Sequence, residues 1–224
     1  MGDTAIYGVS SIVGRFLNWW LVPYHAGIFR PEEYGVVSNL YGYVAFAMIL
    51  LTYGMETGYF RFASKGQNQA TVFSTSLLSL FSTTALFLLA MLLFRGEIAS
   101  AMQYGEHPEF VWWLALTVGL DAVTAIPFAQ LRLQSRPLKF AVVKMVNIGL
   151  NIGFNLFFLS LCPLILRHYP ASPVALLYDP SVGVGYVFIA NLLASLSTLL
   201  LLLPEILAVR LQFDRQLFRR MMNY

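Results

Sequence analysis

Charge is what this sequence has least of. Of 224 residues only 11% are Asp, Glu, Lys or Arg, while 58% are hydrophobic, against about 25% charged in an average soluble domain. An ordinary soluble domain is excluded. Cys162 is the single cysteine, so no intrachain disulfide can form, and it reads as a small buried hydrophobe. Metal-ligand spacing is missing: His25, His107 and His168 fall in three different loops on one side of the membrane, and neither a metal nor a cofactor is expected. No glycine loop followed by lysine is present to cradle phosphates; Gly183 and Gly185 lead into an apolar helix instead. Nucleophile elbows and paired catalytic carboxylates are also missing, so an enzyme is not expected. The start of the chain lacks the basic segment, short apolar run and cleavage site of a removable signal, and its first helix is expected to stay.

What is present is a set of long apolar windows. Positions 34–55, 66–94, 145–166 and 180–204 contain no Asp, Glu, Lys or Arg, and each exceeds the roughly 20 residues that span about 30 Å of hydrocarbon. Windows 4–24 and 110–131 join them if Arg15 and Asp121 are tolerated. The expected fold class is all-α, a polytopic membrane protein with six transmembrane helices at about 4–24, 36–62, 70–94, 110–131, 140–161 and 182–203. The tail, 205–224, alternates apolar and basic residues and is expected to lie as an amphipathic segment on the inner leaflet. Basic residues sort by side: Arg61, Lys65, Arg132, Arg136, Lys139, Lys144, Arg210, Arg215, Arg219 and Arg220 against Arg30, Arg95 and Arg167. The basic side is the cytoplasmic one, so both termini of the segment are expected there. The net charge of +3 reads as this topology signal, and no nucleic-acid partner is expected.

Polar residues inside the windows carry the functional reading. Arg15 sits mid-window, where an arginine costs roughly 2.5–3.5 kcal/mol on insertion scales. Thr4, Gly8, Ser11, Arg15 and Asn18 follow at spacings of three and four, forming one polar stripe opposite Val9, Ile12, Phe16 and Trp19. Such a helix borders a protected wet space. Asp121 lies eleven positions before Arg132, and Arg15 eleven after Thr4 on the oppositely running helix; at about 1.5 Å per residue both reach a similar depth. They read either as an intramembrane ion pair or as the lining for a substrate or coupling ion. Glu56 reads as an interfacial group or as a cavity carboxylate. Asn147, Asn151 and Asn155 repeat every four residues, giving one amide face for helix packing or for a cavity wall. The hydroxyls of helix three read as packing groups, Pro127 as a kink in helix four, and helix six as lipid-facing and ending at Pro204.

The runs GVSSIVGRFLNWWLVPY, RPEEYGVVSNLYGYVAF, YGMETGYFRFASK and IPFAQLRLQSRPLKFAVVKMVNI, in that order, resemble the amino-terminal half of the bacterial polysaccharide and oligosaccharide flippases. These belong to the multidrug, oligosaccharidyl-lipid and polysaccharide exporter superfamily. The resemblance implies two six-helix lobes facing each other across a central cavity, of which this chain is similar to one. Its last residues, LFRRMMNY, look like the approach to a seventh helix, so a second transmembrane lobe is an expected partner. Implied too is the task of turning a polyprenyl-diphosphate-linked glycan from the cytoplasmic to the outer leaflet of the bacterial inner membrane, for polysaccharide or lipopolysaccharide biosynthesis. On that reading Arg15 contacts diphosphate, Asn18, Asn147 and Asn151 serve sugar hydroxyls, and Asp121 or Glu56 binds a coupling cation. A cation-coupled drug exporter of the same superfamily is the rival. A membrane-embedded glycan polymerase or acyltransferase would need reactive groups such as His107 or Glu106 in an outer segment.

Overall fold

The computed structural model describes residues 2–170 and 172–223; the side chains of residues 2–5, Ser11, Arg15 and Asn18 lie outside the described residues. The described residues form ten α-helices: α1 (Gly2–Ile28), α2 (Pro31–Thr52), α3 (Met55–Ser64), α4 (Gln69–Leu93), α5 (Arg95–Ala101), α6 (Pro108–Leu133), α7 (Pro137–Leu156), α8 (Cys162–His168), α9 (Gly185–Leu207) and α10 (Arg215–Met222). Among the described residues no strand occurs. Among the described residues five spans are long and apolar enough to cross a membrane: Pro31–Ser64, Gln69–Leu93, Pro108–Leu133, Pro137–His168 and Gly185–Leu207. The chain is an all-α, multi-pass membrane protein. The sixth expected span, α1, has 27 residues and is not among those five.

Helix starts follow local chemistry. Proline stands in the first turn of α2, α6 and α7, where its fixed φ helps and its missing N–H costs nothing. Asn68 accepts from the Ala70 N–H at the head of α4, and Asp214 from the Gln216 and Leu217 N–H groups at the head of α10. Large apolar side chains such as Phe46, Ile49, Leu86 and Leu93 remain exposed on the outer helix faces, the surface that hydrocarbon covers.

Three expectations need correction in their details. The second helix does not run unbroken through 36–62. Tyr53 and Gly54 both take left-handed φ values, 31° and 73°, which ends α2 and redirects α3; glycine makes the second of these inexpensive. The fifth helix passes through a π turn, Phe157–Leu161, into α8. Pro163 cannot donate to the carbonyl four residues back, and the wider turn absorbs that mismatch. The sixth helix is not mainly lipid-facing: α9 packs against both α6 and α7, burying Tyr186, Phe188, Ser195, Thr198 and Leu202. It also continues past Pro204 to Leu207.

α6 is the central helix, in contact with α2, α3, α4, α5, α7 and α9, while α1 packs along α7. It stays helical through Pro127. The hydroxyls of α4 serve packing, and also the tail. Ser74 donates to the Gln212 carbonyl and Thr75 accepts from the Asp214 N–H. That holds α10 so that Leu217 and Met221 enter a core cluster with Tyr59, Phe73 and Ile126. The tail's apolar face is thereby used by the bundle itself, where the sequence pattern pointed to the leaflet.

Candidate functional site: a polar path through the bundle

The connectivity gathers the α3–α4, α6–α7 and α9–α10 turns at one end, which holds most of the basic residues. Glu32, Glu33, Glu97, Glu106, Glu109 and Asp179 lie at the other. A cavity of about 400 Å³ lies at the basic end, lined from α2, α3, α6, α7 and α9. The break after α2 sets its mouth. Because α3 starts afresh at Met55, Glu56 falls in its first turn and pairs with Arg132 in the last turn of α6. Each charge also sits at the helix end that favours its sign. The Arg132 guanidinium lies 5.2 Å from the Phe60 ring centre and 5.8 Å from that of Phe140.

Deeper in, Lys144 places its Nζ 4.3 Å from the centre of the Phe128 ring, a cation–π contact that partly replaces lost hydration. Its charge acts on Asp121, and both line the cavity with Ser195. Asn147 donates to the Thr198 hydroxyl at 2.9 Å. The cavity thus carries two carboxylates, Glu56 and Asp121, and two cations, Arg132 and Lys144.

A second cavity, of about 370 Å³, lies at the α1–α2 end. His25, which the sequence placed in a loop, is inside the last turn of α1 and only 5% exposed. Its Nε2 is 2.8 Å from the Asn155 Oδ1. Asn155 in turn donates to the Asn151 backbone carbonyl and side-chain oxygen. Asn191 lines the second cavity together with Tyr41 and also lines the first. The asparagine ladder of α7 therefore runs from one cavity to the other.

Of the expected site residues, Glu56, Asp121 and Asn147 meet in the first cavity, and Asn151 lies in the second. The side chains of Arg15 and Asn18 lie outside the described residues, and so does any meeting of Arg15 with Asp121. Missed from sequence were Lys144 and Arg132, read there as topology charges, and Asn191, Ser195, Thr198 and His25; Asn155, read with Asn147 and Asn151 as one amide face, lines the second cavity. One signal was available: Lys144 comes seven residues after Pro137, roughly 10 Å inside the helix, too deep for a headgroup contact alone.

The bundle thus carries polar groups from both cavities at membrane depth. The polysaccharide biosynthesis protein family model matches residues 26–224, and the chain belongs to that family. No curated protein and no solved structure matches the chain.

Proposed function

We propose that the protein is a flippase that turns a polyprenyl-diphosphate-linked oligosaccharide from the cytoplasmic to the outer leaflet, acting as a carrier and not as an enzyme. Membership of the polysaccharide biosynthesis family supports the cargo class. The single observation that carries the reading is the cavity that holds Arg132, Lys144, Glu56 and Asp121 among apolar helices. A diphosphate and its sugars cannot cross about 30 Å of hydrocarbon without polar contacts, whereas an isoprenoid tail stays in the lipid. Lys144 and Arg132 offer charge-assisted bonds to phosphate oxygens; Arg15 is a further candidate for the same task. Asp121 and Glu56 neutralise those cations when cargo is away, and either can take a coupling cation during the cycle. Alternating access of this helical lobe against a second one completes the mechanism, in the bacterial inner membrane with the basic end in the cytoplasm.

The test depletes the full-length protein in its host and measures on which leaflet the lipid-linked oligosaccharide accumulates, with wild type, Lys144→Ala and Arg15→Ala as rescues. Accumulation on the cytoplasmic leaflet that wild type relieves and normally inserted Lys144→Ala does not relieve is the expected result. An unchanged leaflet distribution removes the flippase reading and makes export of organic cations the next assay.

A further inference from the structure

We infer that the cavity at the α1–α2 end is a subsite for neutral sugar, separate from the charged cavity that receives the diphosphate; the inference rests on the flippase reading above. Among the described residues its lining contains no Asp, Glu, Lys or Arg. Its polar groups are amides, hydroxyls and one imidazole: Asn151, Asn191, Ser38, Tyr34, Tyr41 and His25. At about 370 Å³ it falls in the size range of small-molecule sites, roughly 300–1,000 Å³.

The hydrogen bonding of these groups is incomplete in a directed way. Asn155, at 1% exposure, is fully engaged with His25 and Asn151 and holds both in place. Asn151 accepts from Asn155 through its oxygen, which turns its amide N–H₂ away from that bond. Among the described residues that N–H₂ group, the Ser38 hydroxyl and the Tyr34 hydroxyl have no hydrogen-bond partner. Mixed donors and acceptors without charge match the hydroxyls of a sugar, each of which both donates and accepts. Among the described lining residues a diphosphate would find no Lys or Arg, and an organic cation no carboxylate. The Tyr34 and Tyr41 rings add apolar faces for the C–H side of a pyranose.

Placement supports the same division. Asn191 lines both cavities, so a cargo whose diphosphate lies beside Lys144 presents its sugars towards Asn151. α1 and α2 touch each other sparingly and leave the cavity's wall between them. The charged and uncharged regions thus follow the order of the cargo's own chemistry.

The experiment uses the full-length protein in lipid nanodiscs and two probes: the host's lipid-linked glycan and the same polyprenyl diphosphate with its sugars removed. Wild type should prefer the glycosylated probe. Asn151→Leu should lower that preference about tenfold and Tyr34→Phe, which deletes one hydroxyl, about threefold, as expected for one or two lost neutral hydrogen bonds. Lys144→Ala should weaken both probes and leave the ratio between them unchanged. An unaltered ratio in both Asn151→Leu and Tyr34→Phe overturns the subsite, as does a wild type indifferent to the sugar; neither result touches the flippase reading while Lys144→Ala still weakens both probes. A wild type that binds neither probe removes the flippase reading and the subsite together.

Discussion

The two polar cavities share the helices α7 and α9 and the side chain of Asn191, yet they are held open by different physics. The one at the basic end contains an ion pair, Glu56 with Arg132, and two further charges of opposite sign, Asp121 and Lys144. The polar groups of the one at the α1–α2 end are, among the described residues, amides, hydroxyls and the His25 imidazole. Charge inside an apolar bundle is tolerated when each group has a counter-charge or an aromatic face nearby. Neutral amides need only hydrogen bonds, and the asparagine ladder of α7 supplies them to itself and to His25. The charged cavity is therefore the responsive one, since any anion that enters competes with carboxylates already present. The uncharged cavity discriminates by shape and hydroxyl pattern.

The sharpest way to break this contrast is to remove charge from the first cavity. Lys144→Ala should cut flipping of the lipid-linked glycan in proteoliposomes by about 10- to 100-fold, the worth of a charge-assisted bond to phosphate. Lys144→Arg should recover part of it. An effect under threefold would mean that the cavity's charges are structural.

Next comes the cluster just outside that cavity. Glu205 is 6% exposed at its side chain and pairs with Lys139 and, at 3.5 Å, with Arg136. Lys139→Ala leaves that buried carboxylate with its longer partner alone and should cost about 2 kcal/mol. Arg136 is half exposed, and its replacement by alanine should cost no more than about 0.5 kcal/mol after solvent screening. Thermal unfolding of purified protein in detergent distinguishes the two, and equal shifts would contradict the assignment of Lys139 as the main partner.

The backbone break that aims Glu56 supplies a third test. At Gly54, φ is 73°, and a Cβ there meets no neighbouring atom, so Gly54→Ala isolates the conformational cost. It should destabilise by about 1 kcal/mol and lower Tm by about 2–4 °C. The uncharged cavity should be untouched by this change, which preserved Asn151→Leu selectivity effects would confirm.

The smallest effect lies in the segment before α9. The Ser181 backbone N–H, with a smaller share from its side chain, holds the Asp179 carboxyl below its ordinary range. A depressed folded-state value means that this cap is fully present above the unfolded pKa of about 3.9 and is lost as pH falls through the folded value. Faster hydrogen exchange at Ser181 only under that acidic condition is the expected outcome, with no change between pH 6 and 8.

Much of this contrast could be read from sequence, though not its partners. Asp121, Glu56 and Asn147 stood out because ionisable and amide side chains are rare in apolar windows, and all three line one cavity. The spacing of Asn147, Asn151 and Asn155 placed them on one face, as α7 has them. Lys144 and Arg132 looked like loop charges because counting basic residues near a helix end cannot tell a headgroup contact from a side chain turned inwards. Asn191, Ser195 and Thr198 were overlooked because α9 has the most apolar composition of any span together with α4, which reads as lipid-facing. Its burial follows from its neighbours, and hydropathy carries no information about neighbours.

By itself, the sequence determined that this chain crosses a membrane several times as helices, because backbone groups in hydrocarbon must bond within their own segment and the apolar windows have the required length. It also determined which end is basic. Only the tertiary structure decided that Glu56 meets Arg132, that α10 docks on α3 and α4, and that one bundle holds a charged and an uncharged cavity. Those outcomes depend on a two-residue left-handed break and on which helix faces pack together, and both are settled by contacts between residues far apart in the chain.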